Sequence, residues 1–376
     1  MATTRRIFLH QAIKTGFVLS SVPLLASCGA VTRSDVDTAM KAPQIEKLIG
    51  QDGLDILRLA SLAPNGHNTQ PWTITLVDPA TWILGSDQTR WLPAVDPANR
   101  EMLLSLGAFL ENLIIAAEHK GYAVNVNVIA RSAKELQIAE LTLRKASPQT
   151  YPLERLVRRR TVKNGFLRKD ISDQDVTAFC NGEPEQVYYF PHSSAQGKFL
   201  AEGTLEANRI QVYRDPAQEE LADWIRWSNN EARARRDGLT PASMEITGLA
   251  GWYVRTCYNR SHVLTEGFRE TTVKKTAEHV KTHGGWLVLT NQDASVLALL
   301  DTGRRFQRLA LQARDRMIAI HPMTQLIEET PEGPMQIACE LGLNEPVQFI
   351  LRTGYLKSYP EPVSLRRPIS WFTRLA

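Results

Sequence analysis

Apolar residues recur along this chain in two rhythms, and the switches between them outline its elements. From Gln44 the spacing is helical through Ile45, Leu48, Ile56 and Leu59, and it stops at Ala63-Pro64. Trp72 to Val77 alternates as a half-buried strand does. Leu103, Leu106, Leu110, Leu113 and Ala117 return at steps of three and four. They predict a helix over residues 100–119, with Gly121 as its stop. Ala123 to Ile129 reads as a second strand. Gly285 to Thr290 and Gln348 to Arg352 are apolar and rich in β-formers, the pattern of central strands. Residues from about Asp215 to Arg269 are helical in pattern and rich in Trp and Arg. Near the start, Thr15 to Ala26 is apolar but shorter than the about 20 residues a spanning helix needs. Ala30 to Pro43 is polar and reads as a tether.

One stretch of this pattern occurs twice. Leu103-Leu104-Ser105-Leu106-Gly107 lines up with Leu299-Leu300-Asp301-Thr302-Gly303. At the same offset Leu110 meets Phe306, Leu113 meets Leu309, Ile114 meets Ala310 and Ala117 meets Ala313. Each copy carries a Gly where a helix approaches another backbone closely.

Composition narrows the classes. A chain of 376 residues buries one large core or two medium ones. The net charge of +4 is small for that length, and the Arg residues are interleaved with Asp and Glu, so no nucleic-acid footprint stands out. Cys180, Cys257 and Cys339 are far apart, lack metal spacing and read as buried small hydrophobes. His279 and His283 are spaced to share a helix face, yet no Glu or third ligand completes a zinc motif. No Gly-x-Gly-x-x-Gly follows a strand and there is no P-loop, which disfavours a Rossmann nicotinamide domain and nucleotide hydrolysis.

Two segments carry candidate chemistry. The first is Pro64-Asn65-Gly66-His67-Asn68-Thr69-Gln70-Pro71-Trp72. Asn65-Gly66 is turn chemistry that lets backbone approach a flat ligand, and Asn68 and Gln70 have the reach to bridge loop backbones. The second is Arg158-Arg159-Arg160-Thr161-Val162-Lys163-Asn164-Gly165-Phe166, three guanidinium groups and a hydroxyl within four residues, suited to phosphate. Near the C-terminus Arg366-Arg367-Pro368 adds two more cations, and Pro368 biases Arg367 toward an extended backbone.

Together these segments resemble the flavin-gripping parts of the nitroreductase-like FMN family, and the pattern most resembles its Acg subfamily over nearly all of the chain after the leader. In that family both usually lie near the start of one subunit, in the opposite order. Their separation and swap here imply two fused halves. The resemblance implies an α+β nitroreductase-like fold forming an intramolecular pseudo-dimer, with halves at 44–150 and 151–376 and a helical insertion at about 215–270. It implies that Arg159 and Thr161 hold phosphate and ribityl, that Lys163 lies near the pyrimidine edge, and that Arg366 and Arg367 close on the phosphate. Pro64 to Gln70 would pack on the ring, with His67 either facing it or capping the loop. Trp224, Trp227, Trp252 and Tyr253 either stack over the flavin as a lid or anchor the insertion. The first half has the loop and the second the Arg segment, so one FMN per chain is expected.

The N-terminus resembles an address. Thr4-Arg5-Arg6-Ile7-Phe8-Leu9 is similar to the twin-arginine export motif, and Leu25-Ala26-Ser27-Cys28 to a bacterial lipobox. Residues 1–27 would be the signal, Cys28 the lipidated residue, and 28–43 the tether. The chain would lie on the periplasmic side, anchored to a membrane without crossing it, the outer membrane being preferred because Gly29 follows the cysteine. The expected function is an FMN-dependent oxidoreductase passing hydride through flavin N5 to an unidentified electrophile, small and aromatic or quinone-like. The cofactor does the redox step, so no catalytic acid or base is singled out. The alternatives are an FMN-sequestering protein without turnover and a lipid-anchored structural protein whose flavin site has decayed.

Overall fold

The computed structural model describes residues 29–33, 42–180, 186–330 and 333–376. Its centre is a pair of long helices, α2 (Arg100–His119) and α8 (Val296–Arg314). Fifteen residues of α2 are buried, so a helix this apolar has protein on nearly every side. The crossing depends on two glycines. A Cβ on Gly107 would sit 2.1 Å from the Leu300 carbonyl oxygen, and one on Gly303 would sit 2.1 Å from that of Leu104. These are the repeated positions of the sequence, each glycine meeting the other copy's leucine. Polar contacts flank the crossing. The Gln307 amide donates to Asn112 at 2.7 Å, and Arg304 and Arg308 both reach Glu111, at 2.9 and 3.0 Å.

Each core helix belongs to a sheet of the same plan. The first contains β1 (Trp72–Leu76), β2 (Thr81–Ser86), β3 (Tyr122–Val128), β4 (Gln137–Lys145) and, from the end of the chain, β9 (Thr373–Leu375). The second contains β5 (Val187–Pro191), β6 (Gly285–Thr290), β7 (Ile318–Pro322) and β8 (Val347–Tyr355). The orders are β3-β4-β2-β1-β9 and β5-β6-β8-β7. In both, the strand before the core helix and the strand after it flank one late strand, antiparallel to each. A fourth strand, β1 or β5, forms an antiparallel pair with the strand entering the helix. Alternation survives in β1, where Trp72, Ile74 and Leu76 are buried, whereas β6 is buried throughout.

The short strand β9 pairs in parallel with β1, Ile74 opposite Thr373. The expected second half therefore contributes its last residues to the first sheet. The region expected as a helical insertion supplies α4 (Asp215–Trp224), α5 (Asn229–Arg235), α6 (Gly248–Cys257) and most of α7 (Glu266–His279), after α3 (Ala195–Tyr213).

Several expectations need correction. The first helix, α1, is Pro43–Ala60, ends three residues early and kinks at Gly50, where φ is 66°. Part of the supposed tether is packed: Val31 is 2% exposed and Arg33 9%. Cys257 and Cys339 are exposed rather than buried, because each faces outward on a helix at the surface. The Cys180 side chain, the twin-arginine motif and Cys28 lie outside the described residues, as does most of the tether. His279 and His283 do not share a helix face, since α7 ends at His279.

Gly107→Ala and Gly303→Ala should each cost about 1–3 kcal/mol, the usual range for overpacking a close contact. Gly267→Ala, in a helix with nothing within 4 Å of the new Cβ, should be neutral or stabilise by up to about 1 kcal/mol. Urea unfolding of the three variants measures this, and equal effects at all three positions would contradict the crossing.

Candidate functional site

A cavity of about 510 Å³ opens where the two candidate segments meet. One wall is the loop from Pro64 to Asn68, held at the N-terminal side of α2. Another is the segment Arg159 to Asn164. The insertion lines it with Ile225, Trp227, Met244, Tyr258 and Phe268, and α7 and β7 add His279 and His321. Two sequences almost a hundred residues apart thus share one enclosure.

The loop is built on unusual backbone. His67, Asn68 and Gln70 have φ of 47°, 55° and 55°, a left-handed region that costs non-glycine residues energy unless their surroundings hold them there. Side chains do the holding. Asn65 Oδ1 accepts the Gln70 N–H at 2.8 Å, and the Asn68 amide donates to Gly238 and Leu365 carbonyls at 3.1 and 3.2 Å. Gln70 donates to the Arg236 carbonyl at 2.9 Å and accepts the Arg367 N–H at 2.8 Å. Gln70 is fully buried and does not line the cavity; it bridges loop backbones. Below the loop, Trp72 packs on Phe109 of α2 with ring centroids 4.9 Å apart.

The two C-terminal arginines part company, as successive residues of extended chain do. Arg366 reaches the cavity wall and donates to the Ser61, Leu62 and Ala63 carbonyls at 2.6, 3.2 and 3.0 Å, and to Asn68 Oδ1 at 2.8 Å. It thereby places a cation at the C-terminal end of α1, where carbonyls have no partner within the helix. Arg367 faces the other way, donating to the Gln70 and Trp72 carbonyls at 2.5 and 3.0 Å. It is not on the cavity, which corrects its assignment to a phosphate. Arg158 is also elsewhere: it is exposed at the end of a short helix and pairs with Glu361 at 2.6 Å.

Arg159 and Lys163 do reach the cavity, with Arg160 and Thr161 between them. Arg159 is 6% exposed, and no ion pair to it exists among the described residues. Its guanidinium donates to Thr161 Oγ1 at 3.3 Å, and its Nε has no partner. Burial and then the neighbouring Arg33 push its pKa down to about 10, against an opposing contribution from Tyr359. A buried cation in this condition is costly unless an anion joins it. Lys163 is also lowered, by burial, with Glu245 opposing and Arg160 adding to the shift. His67 falls to about 4 through burial and then Lys163, so it is neutral at pH 7.

Sequence reading missed several supporting groups. Glu245, in the insertion, accepts the Lys163 N–H at 3.0 Å, the Asn164 amide at 2.7 Å and Arg160 at 3.4 Å. Arg352, buried on β8, donates to the His279 carbonyl at 2.6 Å and to the Lys163 carbonyl. Glu101 and Glu328 also border the cavity, and Thr324 Oγ1 is within hydrogen-bonding reach of both. Burial and then Glu101 raise the Glu328 pKa well above the usual carboxylate range. None of these lies in a motif; each meets the site only through the fold. Of the four aromatic residues singled out, Trp227 lines the cavity. Trp224 packs beside Arg226 and Arg90, and Trp252 and Tyr253 are exposed.

A cavity lined by the buried Arg159 and Lys163 and by a strained loop, between twinned sheets on crossed helices, marks a binding protein or enzyme with a site suited to an anionic group. Comparison with known proteins gives the family. No protein-family model matches the chain. The acg protein of Mycobacterium tuberculosis, named among the NAD(P)H nitroreductases, is 33% identical over 325 residues, 83% of this chain and 92% of its own length. PigM of Serratia sp., named in the same class, is 24% identical over 291 residues, 72% of this chain and 79% of PigM. Among solved structures, a nitroreductase-like family protein from Bacillus cereus matches with TM-score 0.34 and 14% identity, covering 59% of this chain and 94% of that one. NfnB of Mycobacterium smegmatis matches with TM-score 0.35 and 18% identity, covering 59% and 96%. By its likeness to acg, this chain belongs to the nitroreductase family. At family level it is an oxidoreductase.

The His67 shift makes a pH prediction. Unfolded, His67 titrates near 6.5; folded, near 4. Between these values the unfolded chain holds more protons at this residue, so its contribution is fully present above pH 6.5 and is lost as pH falls toward 4. Asp96, raised to about 7 by burial and then Glu101, acts with the opposite sign. The difference in unfolding free energy between the ligand-free protein and His67→Asn should therefore grow with pH over that window. A difference independent of pH would show that His67 is not held neutral.

Proposed function

We propose that the chain is an FMN-dependent oxidoreductase whose cavity holds one FMN. The observation that carries this is Arg159, a buried guanidinium with no ion pair among the described residues, on a cavity that the loop from Pro64 to His67 also lines. A phosphate dianion supplies the missing charge at Arg159, with the Thr161 hydroxyl beside it. Gly66 and Asn65 present a low wall to a flat ring. Lys163 would hold the pyrimidine edge, where a cation stabilises negative charge on the ring. When bound, the flavin accepts hydride and passes it on. The substrate is an electrophile, small and aromatic or quinone-like, in keeping with the apolar wall from Ile225 to Phe268.

Residues 44–150 and 151–376 are two nitroreductase-like halves of an intramolecular pseudo-dimer, in this reading. The matched strand orders and the reciprocal glycine contacts support it, as does the exchange of β9. Each half supplies one grip, so one FMN per chain follows. A second reading is an FMN-holding protein without turnover. The observation favouring it is the insertion's share of the cavity wall, tied to the Arg segment through Glu245. Bleaching of the bound flavin by NAD(P)H or a quinol supports the enzyme; bleaching by dithionite alone supports the holding protein.

Arg159→Ala should weaken FMN about ten- to a hundredfold, because a charge-assisted contact is worth about 1.5–3 kcal/mol. Riboflavin, lacking the phosphate, should bind the unaltered protein poorly and be little changed by the substitution. Fluorescence titration with both ligands decides it, and equal losses would remove Arg159 from the phosphate.

The proposal extends to location. The chain is exported folded by the twin-arginine route and anchored on the periplasmic side through lipid on Cys28, the outer membrane being preferred. Its motifs at Arg5-Arg6 and at Leu25 to Cys28 support this. Cys28→Ser should release the protein from membranes in fractionated cells. Persistence of that variant in the membrane fraction would sink the anchor.

A further inference from the structure

Glu101 is in the first turn of α2, Glu328 is in the short helix Gln325–Glu329, and both line the cavity. A Cβ on Gly66 would sit 3.5 Å from Glu101 Oε2, so this carboxyl lies against the loop that walls the proposed ring. Between the two is buried Thr324, its Oγ1 in reach of Glu101 Oε1 and, at 2.9 Å, of Glu328 Oε1. A hydroxyl has one proton to donate, so it bonds to two carboxyl groups only when one of them donates to it. The carboxyl groups also hydrogen-bond to each other, which again requires a proton between them. The raised pKa of Glu328 is in line with this. Asp96 and Arg100, around the start of α2, and Glu329, paired with Arg214 at 2.6 Å, are the charged groups nearest the pair among the described residues.

A smaller cavity of about 140 Å³ adjoins the first. Glu101, Thr324 and Glu328 line both, whereas Asp96 and Arg100 line only the smaller. The pair therefore stands between the two. On the larger side, Gln211 of α3 donates to Glu328 Oε2 at 2.8 Å, and Asn208 is one turn earlier on the same helix face. Asn208 is 6% exposed and Gln218 3%; both line the larger cavity, and neither Asn208 Oδ1 nor Gln218 Oε1 has a partner. Buried amides in that state are costly unless a polar ligand joins them. An amide carries both donor and acceptor, so it suits a carbonyl oxygen before reduction and a hydroxyl after it.

We propose that Glu328, with Glu101, donates a proton to an oxygen of a quinone as that substrate takes up hydride, and that Asn208 positions the quinone. The proposal rests on the FMN reading of the cavity and narrows its electrophile. Reducing a quinone to its hydroquinone takes two electrons and two protons. Both electrons and one proton arrive at one oxygen as hydride from reduced FMN. The O–H bond of Glu328 breaks, its electron pair stays on the carboxylate, and the proton forms the second O–H bond of the product. Solvent restores the proton from the smaller cavity, past Asp96.

The test uses the full chain with FMN bound, photoreduced without oxygen and mixed with 1,4-benzoquinone or with ferricyanide, which takes electrons without protons. Glu328→Gln should slow flavin reoxidation by the quinone about a hundredfold to ten-thousandfold, the range of general acid catalysis, and leave the ferricyanide rate unchanged. Asn208→Ala should raise the quinone concentration giving half the limiting rate more than it lowers that rate. Apart from turnover, the infrared spectrum of Asp96→Asn at pH 7 should hold the carbonyl stretch of a protonated carboxyl, and adding Glu328→Gln should remove it. Absence of that band before the second substitution would overturn the shared proton without any appeal to activity. If the unaltered protein does not retain FMN, the FMN reading fails. If it does and Glu328→Gln leaves both rates unchanged or slows both equally, the proton role alone fails.

Discussion

Helices usually keep their axes apart by the width of the side chains between them. At the crossing of α2 and α8 there are no side chains between them, only Gly107 against the Leu300 carbonyl and Gly303 against that of Leu104. This contact sets the distance between the two sheets, because each sheet is built around one of these helices. The cavity inherits that distance. Leu104 and Ser105 of α2 and Phe306 of α8 are on its lining, a turn or less from the glycines. A larger residue at the crossing would push apart the walls that bring the Pro64 loop and the Arg159 segment together.

Much of this was legible before any fold was known. The period of Leu103 to Ala117 located α2 within a residue, and the offset match to Leu299 located its partner. These signals are strong because a buried helix needs apolar residues on several faces, and that leaves a long record. The loop and the Arg segment were legible as chemistry, since left-handed backbone and phosphate each select a narrow set of residue types. Arg367, Arg33 and Glu245 were not. Adjacent arginines look alike in sequence, but an extended backbone sends Arg366 and Arg367 to opposite sides. Arg33 sits in a polar stretch with no period, and tertiary contacts with the Ser364 and Val157 carbonyls give it a place. Glu245 reaches Lys163 from a segment whose local pattern says only that it is helical.

The cavity lining carries charge of both signs: the cations of Arg33, Arg159 and Lys163, histidines held neutral by burial, and the side chains of Glu101 and Glu328. Arg159 has no ion pair among the described residues, while burial and then Glu101 hold the Glu328 carboxyl well above the usual carboxylate range. A cation left in that condition attracts the anionic part of a ligand before any specific hydrogen bond forms.

The tail of the chain carries a consequence for assembly. Arg366 fastens the end of α1 to the loop, Arg367 and Gln70 lock each other, and β9 closes the edge of the first sheet beside β1. All of these are within the final eleven residues of the chain. Synthesis runs from the N-terminus, and domains tend to fold as they emerge. Here the first sheet emerges early but waits, with its loop unpinned and one edge of β1 uncovered, until residues 366–375 have been made. Pinning of the cavity loop therefore follows synthesis of residues 366–375, and a chain lacking them would keep the second sheet and most of the first around an unpinned loop.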